Sequence, residues 1–138
     1  MTKSIKKLMA TGMAVMAIAS AAVSVTVFAK DKPYSFSVTT SQNDGMGFSA
    51  GNPKDDDEQT AYVYTTSGNI IEDDLFYMAV FKNPINDDSN RVTYWNRITS
   101  NNGRYLIEYK TWRGQNSTNY LCGDTDKYSV SVEGHWFS

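Results

Sequence analysis

The sequence predicts an all-β protein, with one small antiparallel β-sandwich or barrel of about seven strands after an N-terminal signal peptide. Two observations support this fold class. Short segments rich in β-branched and aromatic residues recur along residues 30–138, and polar turns containing Gly, Asn or Pro separate them. No segment after residue 29 has the apolar spacing of an amphipathic helix. Short strands joined by such turns are typical of a sandwich or a small barrel.

Residues 1–29 have the order of a secretory signal peptide. Three lysines lie within the first seven residues, an apolar and small-residue run follows, and Ala29 closes a cleavage site with small side chains. The run is rich in Ala, Ser, Thr and Gly and no stop-transfer pattern follows it, which disfavours a permanent membrane anchor. We therefore expect a secreted domain comprising residues 30–138, without stable membrane insertion.

The formal charge changes when the signal peptide is removed. The whole chain has 15 acidic and 13 basic residues and a net charge of −2. All 15 acids follow residue 29, whereas three of the bases precede it, so 10 bases remain and the net charge becomes −5. Because affinity for nucleic acids rests on clustered Lys and Arg, this charge argues against a nucleic-acid partner.

The first half of the secreted segment contains three predicted strands. Residues 34–39 alternate apolar and polar side chains, the pattern of a strand with one buried face. Residues 41–59 are polar and acid-rich and predict a long exposed loop, and residues 60–66 resume strand composition. Residues 75–81 are uniformly apolar, which fits a strand covered on both faces or a short buried helix; the length of seven residues favours the strand.

The second half contains the strongest turn signal. Segments 91–98 and 104–112 have strand composition and flank Asn102-Gly103, which predicts a β-hairpin with a type I′ turn. Both central residues of such a turn have positive φ. Two further strands are predicted, at residues 120–122 and 128–132.

Alternation along the second strand of this hairpin indicates which aromatic side chain lies at the surface. Tyr105, Ile107 and Tyr109 are expected to face the core. Trp112 falls on the opposite, wetter face. Because an exposed indole can stack on a sugar ring, Trp112 and the neighbouring Arg113 are the predicted ligand-binding residues for a glycan or cell-wall group.

The first and last predicted strands also suggest a resemblance. Residues 34–38 read Tyr-Ser-Phe-Ser-Val, and residues 128–136 read Tyr-Ser-Val-Ser-x-x-Gly-x-Trp. With the signal peptide and the aromatic strands, this layout resembles a family of small secreted proteins from Gram-positive bacteria whose function is unassigned. The chain departs from that family in its acidic loop and after Trp136. A more distant resemblance is to the lactococcin-972-like bacteriocins, and neither implies a catalytic residue.

Few residues are suited to catalysis. Cys122 and His135 are the only Cys and the only His, so a thiol protease would need both. No cysteine-protease signature surrounds Cys122, and a buried structural thiol is the better interpretation. A single Cys also excludes an intramolecular disulfide. We expect a protein that is not an enzyme, and a small extracellular enzyme is the least favoured alternative.

Acidic residues cluster in several predicted loops, and calcium is the only cofactor for which they are candidates. Asp87 and Asp88 lie in one polar turn, and Asp124 and Asp126 lie in another. Ca²⁺ takes six to eight oxygen ligands, commonly from converging loops. None of the clusters has the spacing of a recognised calcium loop, and exposed acids commonly serve solubility.

Two classes of function are consistent with these observations. The leading prediction is a non-enzymatic β-sandwich that binds a cell-wall component or another extracellular protein. The alternative is a bacteriocin-like toxin, which the distant resemblance suggests. Neighbouring immunity or transport genes would distinguish the toxin, because its producer must protect itself.

Overall fold

The computed structural model describes residues 30–138, so the predicted signal peptide lies outside the described residues. This part of the chain forms nine strands and two single-turn 3₁₀ helices. No helix within it has the length and apolar character that a membrane crossing requires. The strands are β1 (Lys32–Val38), β2 (Met46–Phe48), β3 (Asn52–Pro53), β4 (Thr60–Gly68), β5 (Phe76–Phe81), β6 (Asn96–Arg97), β7 (Gly103–Glu108), β8 (Thr118–Thr125) and β9 (Val130–Phe137).

The strands form two antiparallel sheets. The first sheet has the order β1-β9-β4-β7, and the second has the order β2-β8-β5-β6, with β3 also pairing with β8. One apolar core contains side chains from both sheets, so they pack face to face. The predicted all-β sandwich is therefore confirmed, with nine strands instead of about seven. Two of the nine, β3 and β6, are only two residues long.

The two clearest strand predictions are also confirmed. Along β1, the apolar positions of the alternating segment are buried and the serines between them are exposed. Strand β5 accounts for most of the apolar run 75–81, and both of its faces are covered. Met78 and Val80 join the main core, whereas Ala79 and Phe81 join a second cluster on the outer face of the sheet. Burial on both faces explains why this run does not alternate.

The predicted hairpin at Asn102-Gly103 is wrong. Strand β6 pairs with β5 in the second sheet, whereas β7 pairs with β4 in the first, so this connection crosses between the sheets. Gly103 does not adopt positive φ; among the described glycines only Gly45 does. A side chain holds the crossover instead. The Asn101 amide donates to the Ile70 carbonyl oxygen (2.9 Å), and its oxygen accepts from the Ile70 backbone N–H (2.8 Å).

The prediction of a long exposed loop over residues 41–59 is wrong in part. The segment contains β2, β3 and a 3₁₀ turn, all of which lie close to β8. Within the acid-rich stretch, Lys54 and Glu58 are buried. Composition predicted exposure because charged residues are rarely buried without a partner, and in this protein partners are present.

The interpretation of Cys122 as a buried thiol is confirmed. Cys122 is fully buried in β8, and burial, followed by the charge of Asp124, raises the pKa of its thiol. The same thiol titrates near 9.0 when it is not perturbed. The stability that the protonated folded thiol contributes is therefore fully present below pH 9.0, and it is lost as the pH rises further.

This burial predicts a pH dependence that one substitution should remove. We expect the free energy of unfolding of wild type to fall faster above pH 9 than that of Cys122→Ala, by up to about 1.4 kcal/mol per pH unit. Urea melts at fixed pH values measure the pH dependence of stability in both proteins. Both proteins contain the same tyrosines, so any contribution from tyrosine ionisation cancels in the comparison. Equal slopes in the two proteins would contradict the prediction.

Candidate functional site

Trp112 is the most exposed large apolar side chain of the described residues, with 70% of its surface accessible. It lies in the connection between β7 and β8. The predicted outward position of Trp112 is confirmed, although the predicted hairpin is not the cause. The indole lies over Gly114, where a Cβ atom would collide with the ring. The absence of a side chain at position 114 therefore allows this placement of the ring.

A shallow depression of about 580 Å³ lies beside the indole. Apart from Trp112 and Gly114, polar residues line it, namely Asp57, Arg113, Gln115, Asn116 and Ser117. Asn116 has a φ of 68°, which turns the chain sharply before β8. An exposed aromatic ring beside carboxylate, amide and hydroxyl groups matches the chemistry of a sugar, which has an apolar ring face and a polar edge.

Residues 55–59, the acidic loop, hold in place the connection between β7 and β8 that carries Trp112. The Gln115 backbone N–H donates to Asp57 Oδ1 (2.8 Å), and its side-chain amide donates to the Asp55 carbonyl oxygen (2.9 Å). Gln59 forms a reciprocal pair with the backbone of Arg113, donating to its carbonyl and accepting from its N–H, both at 2.9 Å. Residues 55–59 therefore act as a brace for the Trp112 loop.

Arg113 does not extend toward the indole. Its Nε donates to Asn119 Oδ1 (2.9 Å), and its Nη2 donates to the Thr118 carbonyl oxygen (3.0 Å). The guanidinium is thus already bonded within the protein at the start of β8. Arg113 also lines the depression, so the prediction that it contacts a ligand stays a prediction.

A buried lysine that the sequence did not predict lies behind this loop. The side chain of Lys54 has no accessible surface, and its Nζ donates to the Glu58 carbonyl oxygen at 2.6 Å. The same Nζ is 3.8 Å from Asp56 Oδ1 and 4.8 Å from the centroid of the Tyr109 ring. Burial lowers the pKa of Lys54, and the charge of Asp56 is the largest effect that opposes it. No local pattern distinguishes this lysine from an exposed one.

The backbone of Lys54 joins the two loops directly. Its N–H donates to the Ser117 carbonyl oxygen (2.9 Å), and its carbonyl accepts from the Asn116 N–H (2.8 Å). Nearby, Asn119 donates to Ser138 Oγ (2.7 Å) and to Tyr109 Oη (3.3 Å). A buried polar network therefore supports the Trp112 loop from below, and such networks are rigid when their members are bonded.

The structure does not bring the four predicted calcium ligands into one site. Asp87 caps a 3₁₀ turn, and Asp88 forms a salt bridge with Arg91 at 2.6 Å. Asp124 lies within β8, not in a turn as predicted, and Asp126 follows that strand. Across residues 30–138, no three acidic, His or Cys side chains are grouped so that they could hold a metal ion.

The two residues considered for thiol catalysis lie in different sheets. Cys122, in β8, packs with Ala79 and Phe81, and its raised pKa keeps it protonated at neutral pH. His135, in β9, has its Nδ1 3.7 Å from Asp31 and its ring against Tyr64. This arrangement does not form a nucleophile–base pair.

Comparisons with protein-family models, with curated proteins and with solved structures find no match for this chain. The resemblance to small secreted Gram-positive proteins and to lactococcin-972-like bacteriocins therefore stays a prediction.

Proposed function

We propose that this protein is a secreted, non-enzymatic β-sandwich that binds a glycan of the cell wall or cell surface through Trp112. The observation that supports the proposal most strongly is the 70% exposure of this indole beside a polar depression. An exposed ring of this size is an anchor in many interfaces, because covering it removes a large apolar area from water.

The bracing of the loop also supports binding. A flexible loop would lose conformational freedom when a ligand ordered it, and that loss would weaken binding. Here the hydrogen bonds of Gln59, Gln115 and Lys54 hold the chain directly after Trp112. Directly before it, the backbone N–H groups of residues 110 and 111 donate to the Val92 carbonyl oxygen. The ring is therefore held in place before the ligand arrives.

We expect Trp112→Ala to reduce retention on insoluble Gram-positive cell wall by at least about tenfold, because the anchor ring is lost. The melting temperature should change by no more than about 2 °C, since the side chain is outside the core. The matched control is Tyr94→Ala, which removes another exposed ring, 61% accessible, before β6. Cell-wall pull-downs and thermal melts of the three proteins measure both effects.

A second variant tests the position of the ring without removing it. Gly114→Ala places a methyl group against the indole, which must move, while the backbone conformation at residue 114 tolerates alanine. We expect weaker retention with the melting temperature nearly unchanged. The proposal fails if Trp112→Ala is retained like wild type, or if Tyr94→Ala loses retention to the same extent.

A further inference from the structure

A second pocket, of about 240 Å³, lies on the outer face of the second sheet. Tyr77, Trp95, Asp124 and Asp126 line it. Tyr77 and Asp124 are directly paired across β5 and β8, so their side chains share one face of the sheet. Trp95 lies just before β6, and its ring packs against Phe81 at 5.8 Å between centroids. Two aromatic rings and two carboxylates therefore converge.

Basic side chains do not neutralise these two carboxylates. None of the salt bridges in the described part of the chain includes Asp124 or Asp126. Arg97 lies opposite Tyr77, but its guanidinium donates to backbone carbonyls of residues 72 and 74. Neither carboxylate of the pocket is therefore held in a salt bridge within residues 30–138.

A further cation, Arg91, lies beside Trp95 and is already paired. Its guanidinium is 5.6 Å from the centroid of the Trp95 ring. Its Nε is 2.6 Å from Asp88 Oδ1, so its charge is engaged by that carboxylate. Arg91 therefore contacts the indole while its charge is paired with Asp88.

One carboxylate oxygen also accepts no hydrogen bond within the protein. Asp124 Oδ1 is buried and has no donor. A buried acceptor without a donor destabilises a protein, more so when it belongs to a charged group. Burial, followed by the charge of Asp126, raises the pKa of Asp124. A cation in the pocket would offset the repulsion between the two carboxylates.

We propose that this pocket binds a primary ammonium group, of the kind carried by a lysine side chain or a free alkylamine. The ammonium pairs with the carboxylates of Asp124 and Asp126, and its methylene stem lies against Trp95 and Tyr77. A calcium ion fits less well, because two carboxylates and two rings fall short of six oxygen ligands. A neutral sugar would leave both charges unpaired.

This pocket is independent of the Trp112 depression. Strand β8 begins at Thr118, beside the Trp112 loop, and reaches Asp124 six residues later. At 3.2–3.4 Å per residue, the two positions are about 20 Å apart. Failure of one site therefore leaves the other intact.

Nuclear magnetic resonance tests the proposal directly, because the chain has three tryptophans and so three indole N–H signals. We expect n-butylammonium and Nα-acetyl-lysine methylamide to move the Trp95 signal saturably, while Trp112 and Trp136 do not respond. Tetramethylammonium, which has charge but no N–H, and 1-butanol, which has a donor but no charge, should each bind at least about fivefold more weakly. The two amine probes distinguish a lysine side chain from a free alkylamine.

Variants assign the effect to the carboxylates. Asp124→Asn and the exposed Asp126→Asn should each weaken binding of n-butylammonium at least about fivefold, since each removes one charge. The charge-matched control, Glu108→Gln, lies on β7 of the other sheet and should bind like wild type. Unchanged binding by Asp126→Asn, equal binding of 1-butanol, or a larger Trp95 response to calcium chloride would overturn the proposal.

Discussion

Gly134→Ala should lower the free energy of unfolding by about 3 kcal/mol or more, because one methyl group has no room at this position. Gly134 lies in β9 and is paired on one side with Tyr34 of β1 and on the other with Thr65 of β4. A Cβ there would collide with the Tyr64 carbonyl oxygen and lie 2.7 Å from the Tyr34 hydroxyl, which donates to that same carbonyl at 3.0 Å. Backbone on both sides prevents relief by a simple shift.

Gly103→Ala provides the matched control for this prediction. A Cβ at Gly103 would meet only the Tyr105 ring, at 3.1 Å or more, and the φ of Gly103 suits any residue. We expect a loss below about 1 kcal/mol. Urea denaturation followed by circular dichroism measures both variants. If Gly134→Ala were as stable as Gly103→Ala, the close approach of β9 to Tyr64 would not be a real constraint.

Lys54→Ala should destabilise the protein by about 3 kcal/mol, because the substitution removes a buried cation and leaves its acidic partner in place. Lys54 Nζ donates to the Glu58 carbonyl oxygen and is 3.8 Å from Asp56 Oδ1. Alanine would also leave a cavity beside Tyr109. Because the Lys54 side chain also fixes Glu58, within the segment that braces the Trp112 loop, retention on cell wall should fall as well.

Lys54→Met separates the ammonium from the methylene chain. Methionine fills most of the same space but donates no hydrogen bond, so we expect a loss of about 1–2 kcal/mol, between wild type and Lys54→Ala. Urea melts at pH 7 measure all three proteins. If Lys54→Met were as stable as wild type, only the apolar part of Lys54 would contribute to stability, and the ammonium would have no structural role.

The sequence predicted what depends on local burial and missed what depends on distant pairing. Alternation in β1 and the apolar run of β5 report directly which faces are covered, and both predictions are confirmed. Asn102-Gly103 has the composition of a turn, but that composition does not determine which sheet receives the next strand. A two-residue turn signal does not show whether the following strand pairs with its neighbour in sequence or crosses to the other sheet.

At the candidate site, too, local burial was predicted and contacts between distant segments were not. The exposure of Trp112 was predicted from its place on the face opposite Tyr105 and Ile107, and the side chain is exposed. The support beneath Trp112 was not predicted, because it combines Lys54 and Gln59 of one segment with Asn119 of a distant one. A buried lysine is recognisable only when the acids and carbonyls around it are known.

The pairing of the first strand with the last determines when the first sheet can form. Strand β1 lies at the edge of its sheet and pairs only with β9, from Lys32 opposite Trp136 to Val38 opposite Val130. Strand β9 also lies between β1 and β4, so the first sheet has no continuous centre until β9 has been synthesised. Contacts of such high sequence separation slow folding, because a long loop must close before they stabilise anything. The first sheet therefore forms late, in a step that begins when β9 arrives between β1 and β4.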